Sequence, residues 1–193
     1  MPQSKDIYHS VLIVSASESF DQLIKKSLTG FVTCESKRSV ASARMSLLER
    51  YYDLIVINSP LPDETGEVFA IDAAEKSNAS VLLVVSQDIY EETLQRVTDY
   101  GIIAMPKPSP KGRMDKIIRF LIALQNKMRE QERKLRAAEE KIEELRMVDK
   151  AKFTLMEQKH MTEDEAHRYI GKQAMDNGVS RGRAARMILD ELE

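Results

Sequence analysis

The chain of 193 residues is long enough for one domain of ordinary size and a smaller module. Its 29 basic and 31 acidic residues give a net charge of -2, so polyanion binding has to come from a local patch. The single cysteine excludes an internal disulfide framework, and the sequence shows neither a bilayer-spanning apolar run nor a signal-peptide pattern, so we expect a cytoplasmic protein without a membrane partner.

Strand-like and helix-like segments alternate from the N-terminus to about Lys107. Continuous apolar strands separated by amphipathic helices indicate a parallel sheet covered on both faces. We therefore predict a flavodoxin-like, doubly wound α/β domain with five strands over residues 1–112. The predicted strands are 11–14, 31–35, 54–57, 81–85 and 102–105, and the predicted helices are 18–28, 39–50, 67–76 and 90–99.

The positions of three glycines and of the single cysteine agree with these predicted elements. Gly30, Gly66 and Gly101 fall where predicted helices end or turns begin. Cys34 lies in the second predicted strand, where we expect an inert, buried thiol rather than a reactive one.

The carboxyl ends of the predicted strands should form the binding crevice of this fold. There the segments VLIVSAS, DLIVINSPLPDETG, LLVVSQD and AMPKPSP resemble the signature segments of the response-regulator receiver domain, over roughly residues 8–122. In that family, two adjacent acids after the first strand and an aspartate ending the third strand hold Mg²⁺, and this aspartate accepts a phosphoryl group.

The residues that carry this chemistry in the receiver family are replaced here. Ser15 and Ala16 occupy the acid-pair positions, and Asn58 occupies the acceptor position. An amide does not form an acyl phosphate, and without the acid pair we expect neither Mg²⁺ binding nor any other cofactor. We predict a pseudo-receiver that is not phosphorylated at the usual position and is not an enzyme.

Part of the receiver pattern persists around this degenerate site. Ser86 and Lys107 match the hydroxyl and the lysine that contact phosphate in active receivers, whereas Ala104 replaces the usual aromatic residue. Three interpretations stay open: the pair binds an anion, Lys107 hydrogen-bonds Asn58, or both persist as structural contacts. We expect Asp63 to be a solvated turn residue rather than a substitute acceptor. Activity would then be constitutive, or a sensor protein or a small ligand bound at this domain would replace the phosphoryl signal.

A heptad repeat begins at Ile117 and continues to Leu145, with core positions at alternating spacings of four and three that are apolar except for Gln131. It predicts a coiled-coil homodimer over residues 113–147, parallel or antiparallel. A monomeric solvated helix and packing back onto the receiver are the alternatives. The predicted interface consists of Leu121, Leu124, Met128, Leu135, Ile142 and Leu145.

Residues 148–193 show three short helical patterns with a clear start and stop. Thr162 and Glu165 form a capping box, and Asn177-Gly178 ends the helix, so a small all-α three-helix bundle is predicted. Four segments resemble the ANTAR family, the small RNA-binding domains of bacterial transcription antitermination regulators. They are Ala151-Lys152, Leu155-Met156, Glu163 to Ala166, and Gln173-Ala174-Met175.

The ANTAR resemblance implies binding to paired hairpins in a nascent leader transcript, which prevents a terminator from forming. Cations at the start of the third helix oppose the helix dipole and suggest an external anion. Phe153, His167 and Gly171 depart from the family pattern. The RNA-binding candidates are Ala151, Lys152, His167, Arg168, Lys172, Arg181 and Arg183.

The apolar residues of this segment are expected to form its core, and the two histidines lack the partners of a metal site. The predicted core is Leu155, Met156, Ala166, Ile170, Ala174, Met175, Ala185, Ile188 and Leu189. The sequence thus favours a dimeric RNA-binding antitermination regulator. A protein-interaction adaptor is the alternative, and a DNA-binding activator ranks below both.

Overall fold

The computed structural model describes residues 9–28 and 32–192, so Gly30 and Phe31 lie outside the described residues. The chain divides into two compact units, an N-terminal unit up to Met128 and a C-terminal unit from Arg129. The domain limits at residues 112 and 147 stay predictions. Among the helices described here, none is both long and apolar enough to cross a membrane.

Five parallel strands form the centre of the N-terminal unit, in the order β2-β1-β3-β4-β5. The predicted doubly wound α/β fold is confirmed, because helices connect each strand to the next. The strands are β1 His9–Val14, β2 Val32–Lys37, β3 Leu54–Asn58, β4 Ser80–Ser86 and β5 Ile103–Lys107. The helices between them are α1 Glu18–Ser27, α2 Val40–Glu49, α3 Glu67–Lys76 and α4 Tyr90–Val97, the last followed by a 3-10 turn at Thr98–Tyr100.

Both faces of this sheet are buried, as the continuous apolar runs predict. Successive side chains of a strand point to opposite faces, so Leu12 joins the cluster around Phe69 while Val11 joins the cluster that contains Ile24 and Ile118. All these side chains are fully buried. The sheet is therefore a rigid platform whose strand ends are held in fixed positions.

The longest helix, α5, spans Lys111–Lys159. In the N-terminal unit its residues Ile118 and Leu121 are buried in the sheet core, and Gln125 donates from Nε2 to the Asn78 carbonyl oxygen at 2.7 Å. Leu121 is therefore a core residue of this unit, which corrects its assignment to the dimer interface. The heptad pattern therefore begins in a part of α5 that packs in the core of the α/β domain.

Farther along α5, the predicted interface residues are exposed in the single chain. Leu135, Ile142 and Leu145 expose 61, 51 and 53% of their surface. Leu124 and Met128 are also exposed. These residues form an apolar stripe on an otherwise charged helix, and in the single chain this stripe is in contact with water. Its burial in a dimer stays a prediction.

The C-terminal unit contains the end of α5 together with α6 Glu163–Asp176 and α7 Arg181–Leu192. The capping box is present: Glu165 N donates to Thr162 Oγ1 at 3.3 Å, and Thr162 N donates to Glu165 Oε2 at 2.8 Å. Gly178 follows the end of α6 with φ +62°, which glycine adopts without strain. The predicted start and stop of this helix are confirmed.

A small buried core holds the three helices of the C-terminal unit together. Ala151, Leu155, Ala166, Ile170, Ala185, Ile188 and Leu189 form it. Met175 was predicted to belong to this core, but 80% of its surface is exposed. Ala166, Ile170 and Ala174 recur every four residues and face inward, and Met175 is turned about 100° away from Ala174 around the helix.

Candidate functional site

The carboxyl ends of β1, β3 and β5 bring Ser15, Asn58 and Lys107 together. Asn58 Nδ2 donates to Ser15 Oγ at 3.0 Å, and Lys107 Nζ donates to Asn58 Oδ1 at 2.9 Å. Lys107 also donates to the Ser59 carbonyl oxygen. Of the three interpretations of Lys107, the structure thus contains the hydrogen bond to Asn58. Burial lowers the pKa of Lys107.

Further hydrogen bonds fix Ser15 in place. Its side chain accepts a hydrogen bond from Ser17 N at 3.0 Å, and its carbonyl oxygen accepts one from Arg38 Nη1 at 2.8 Å. Arg38 also pairs with the buried Asp21 Oδ2 at 2.9 Å. Ser15 is fully buried, whereas Ala16 is exposed and presents only a methyl group. The acid-pair positions therefore supply no carboxylate.

Ser86 lies opposite Lys107 in the β4–β5 pairing, but its hydroxyl binds a residue other than Lys107. It hydrogen-bonds the Asp88 carboxylate and thereby lowers the pKa of Asp88. Ala104, at the position of the usual aromatic residue, is buried in the core. The residues of the receiver pattern are thus placed at the strand ends, with their polar groups paired to each other or to neighbours.

Asp63 is exposed in the turn between β3 and α3, as expected, and its carboxylate also caps a helix. Its Oδ1 and Oδ2 accept hydrogen bonds from the backbone N–H groups of Val40 and Ala41, each at 2.9 Å. These bonds at the N-terminus of α2 hold the pKa of Asp63 below its ordinary value. Both oxygens of the Asp63 carboxylate thus accept hydrogen bonds from the first turn of α2. In the part of the chain that the structure describes, no three His, Cys, Asp or Glu residues are grouped as a metal site requires.

Four of the seven predicted RNA-binding side chains line one open groove between α6 and the start of α7. They are His167, Arg168, Lys172 and Arg181, and we call them the basic groove. All four are exposed, and Met175 and Gly171 lie among them. Arg168 and Lys172 also line a neighbouring concavity with Lys159 and Tyr169. Glu165 also lines this concavity, so the basic surface of α6 is centred on Arg168 and Lys172.

The structure corrects the placement of the Ala151-Lys152 pair. Ala151 is fully buried in the core, so its methyl group cannot contact a ligand. Lys152 Nζ lies 2.9 Å from Asp149 Oδ1 and 3.1 Å from Glu163 Oε1, and only 18% of its side chain is exposed. Hydrogen bonds to these two carboxylates raise the pKa of Lys152. Its charge is already neutralised within the C-terminal unit.

Arg183 lies outside the basic groove, on a surface that acidic residues of α5 share. It lines a concavity with Arg186 and with Glu140, Glu143 and Glu144. Gly182 N donates to Glu144 Oε1 at 3.4 Å. The start of α7 thus has one internal carboxylate beside Gly182, and an external anion near the exposed Arg181 stays a prediction. The hydrogen bond from Lys141 lowers the pKa of Glu144, and the bond from the Gly182 backbone adds to this.

Two glycines of the C-terminal unit should respond oppositely to alanine. At Gly171 an added Cβ would meet nothing within 4 Å, so Gly171→Ala should stabilise α6 by about 1 kcal/mol. At Gly182 an added Cβ would lie 2.6 Å from Glu144 Cγ and 3.3 Å from its Cα, so Gly182→Ala should lower the unfolding midpoint. Thermal unfolding of both variants checks this, and a stabilised Gly182→Ala variant would contradict the close packing.

Comparisons with known proteins agree with both resemblances. Residues 136–189 match the family model of the ANTAR domain. The signal receiver domain of an HD domain-containing protein from Pseudomonas fluorescens Pf-5 is 18% identical, with a TM-score of 0.58 over 67% of this chain and 98% of that chain. Chemotaxis response regulator CheY4 of Vibrio cholerae is 20% identical, with a TM-score of 0.52 over 60% of this chain and 99% of that chain. The chain therefore combines a receiver-type fold with a C-terminal segment that matches the ANTAR domain model.

One curated relative matches across both domains. Transcriptional regulatory protein PdtaR from Mycobacterium tuberculosis is 24% identical over 141 residues, which cover 72% of this chain and 68% of the relative. The similarity reaches beyond the ANTAR domain alone. The domain combination expected from the sequence is confirmed.

Proposed function

We propose that this protein is a non-enzymatic, cytoplasmic regulator of transcription that binds tandem hairpins of leader RNA through its ANTAR domain. Binding would favour antitermination by holding the transcript in a form without the terminator. This proposal rests on the basic groove. There, exposed cations of α6 and α7 line one concave surface within the ANTAR domain. The similarity to a transcriptional regulatory protein supports the same function.

The basic groove offers both kinds of contact that RNA recognition uses. Arg168, Lys172 and Arg181 can neutralise phosphates, and guanidinium planes also stack on unpaired bases. His167 can stack and hydrogen-bond, and the exposed Met175 provides an apolar contact beside it. Hairpin loops present splayed bases and closely spaced phosphates, so a groove of this composition suits them better than duplex DNA.

We propose that two ANTAR domains act together in a homodimer. The exposed stripe of Leu124, Met128, Leu135, Ile142 and Leu145 would form its interface. Two linked RNA-binding domains bind two linked hairpins with a higher effective concentration than separate domains do. Dimerisation would therefore convert a modest affinity per hairpin into selective binding of a tandem site.

Binding to the two-hairpin RNA tests this function. The purified chain is titrated with a leader-type RNA containing two adjacent hairpins, with an unpaired RNA and with duplex DNA, at several salt concentrations. We expect the two-hairpin RNA to bind most tightly, with an affinity that falls as salt rises. Absence of hairpin binding at low salt would refute the proposal.

An adaptor function is the second candidate. The exposed side chains of Phe153 and Met175 favour it, because apolar surface on the C-terminal unit also suits a protein partner. The same titration separates the candidates, since an adaptor would not distinguish two hairpins from unpaired RNA.

The strand-end site supports phosphorylation-independent action. With Ser15, Ala16 and Asn58 in place of three acids, we expect no labelling by acetyl phosphate in the presence of Mg²⁺. The variant with Ser15→Asp, Ala16→Asp and Asn58→Asp restores the acid set and should gain up to about one phosphoryl group per chain. Mass spectrometry of the intact protein measures both, and stoichiometric labelling of the unmodified chain would contradict a degenerate site.

A further inference from the structure

A groove between α2 and α3 lies outside the site at the strand ends. It is formed by the last two turns of each helix and by the loop from α2 to β3, with a volume of about 410 Å³. Small-molecule sites typically enclose about 300 to 1,000 Å³. Tyr52 and Ala73, both buried in the core, form its floor together with the half-buried Leu47. The floor is therefore fixed by the packing of the domain.

The walls of this α2–α3 groove are apolar and exposed. Leu48 and Tyr51 expose 82 and 97% of their surface to solvent. Two large apolar side chains beside an apolar floor leave a continuous surface that loses contact with water when a ligand covers it. The groove therefore suits a ligand with an apolar aromatic or aliphatic body.

The charged residues that line the groove are three cations, Arg44, Arg50 and Lys76, and one carboxylate, Asp72. Arg44 and Lys76 share one carboxylate, Asp72, which lies 2.9 Å from Lys76 Nζ and also pairs with Arg44. The second acidic neighbour of Arg44, Glu64, is 3.8 Å away. Lys76 is largely exposed, so its ammonium group can turn toward a bound anion.

Arg50 is a third cation that lines the groove. Arg50 lies 3.9 Å from Glu35, whose carboxylate already accepts the Tyr52 hydroxyl at 2.5 Å and pairs with Lys37 at 2.8 Å. Arg50 is largely exposed and only weakly held. The edge of the groove therefore offers incompletely neutralised cations around an apolar centre.

We propose that the α2–α3 groove binds a free, small amphipathic anion, with its apolar body against Leu48 and Tyr51 and its acidic group beside Arg50 and Lys76. The acidic group is a carboxylate, sulfonate or phosphate, all of which pair with guanidinium and ammonium groups. Such a ligand would supply a signal to a domain that cannot take a phosphoryl group. The proposal goes beyond RNA binding, and its test does not involve RNA.

The test uses two fluorescent probes that share the same anilinonaphthalene body. The full chain is titrated with 1-anilinonaphthalene-8-sulfonate and with the neutral N-phenyl-1-naphthylamine, which lacks the sulfonate. We expect one site per chain, with the anionic probe binding about tenfold or more tightly than the neutral one. Leu48→Glu and Lys76→Ala should each weaken the anionic probe about fivefold or more.

Two matched variants outside the groove provide the controls. Val68→Glu changes an exposed apolar residue of α3, and Lys25→Ala removes an exposed cation of α1; neither should alter probe binding. Leu48 and Lys76 are exposed, so their variants should keep the wild-type circular dichroism spectrum, and Tyr51→Ala provides a further groove variant.

Three outcomes would overturn the proposal. The first is equal affinity for the two probes, and the second is anionic-probe binding that Leu48→Glu and Lys76→Ala leave unchanged. The third is co-sedimentation with phosphatidylglycerol vesicles that these variants abolish, because it would assign the face to a membrane surface instead of a free ligand.

Discussion

Arg168→Ala combined with Lys172→Ala is expected to weaken binding to a two-hairpin RNA by roughly 30-fold at physiological salt. The two side chains lie one helical turn apart on α6, and both line the basic groove and the neighbouring concavity. A plot of log affinity against log salt has a negative slope, and removing two phosphate contacts should make this slope shallower by about one to two. Fluorescence anisotropy with labelled RNA at several salt concentrations measures both quantities.

The matched control removes two other basic residues of the same domain. Arg183→Ala combined with Arg186→Ala changes the net charge by the same amount, but Arg183 and Arg186 share their concavity with Glu140, Glu143 and Glu144. We expect a loss of no more than about threefold. Equal losses in the two double variants would show that net charge, and not the basic groove, determines binding.

Leu135→Asp combined with Ile142→Asp is expected to convert the proposed dimer to a monomer. Both residues expose more than half of their surface in the single chain, so the substitutions leave the fold of each unit intact while placing charges in the proposed interface. Affinity for a two-hairpin RNA should then fall about 100-fold, to the level of a single hairpin. Analytical ultracentrifugation reports the mass, and anisotropy reports the affinity.

Control substitutions on the opposite side of the same helix keep this test specific. Ala123→Asp combined with Arg133→Asp also introduces two carboxylates at exposed positions of α5, but outside the apolar stripe. This variant should remain dimeric. A wild-type chain that sediments as a monomer at micromolar concentration would contradict the proposed interface.

The sequence predicts the fold well because the signals for it are local. Apolar runs and helical periodicity define β1 to β5 and α1 to α4, and the capping box at Thr162 and Glu165 defines the start of α6 within the residues that form it. Because the carboxyl ends of parallel strands lie at one edge of the sheet, the predicted strand ends correctly bring Ser15, Asn58 and Lys107 together.

The candidate RNA site is less predictable because its electrostatics depend on contacts between helices. Lys152 pairs with Glu163, which belongs to another helix, and Glu144 of α5 reaches the start of α7 at Gly182. Periodicity assigns a residue to one face of a helix, but it does not show which other residues that face contacts. Leu121 illustrates this limit, since it continues the heptad pattern yet packs in the α/β core.

The affinity of the unmodified chain for a two-hairpin RNA, measured with and without acetyl phosphate and Mg²⁺, tests the central claim most directly. We expect tight, salt-sensitive binding that acetyl phosphate leaves unchanged, because Asn58 stands at the acceptor position and Ser15 and Ala16 supply no carboxylate for the metal ion. Binding that appears only after treatment with acetyl phosphate, or no hairpin binding under either condition, would contradict it.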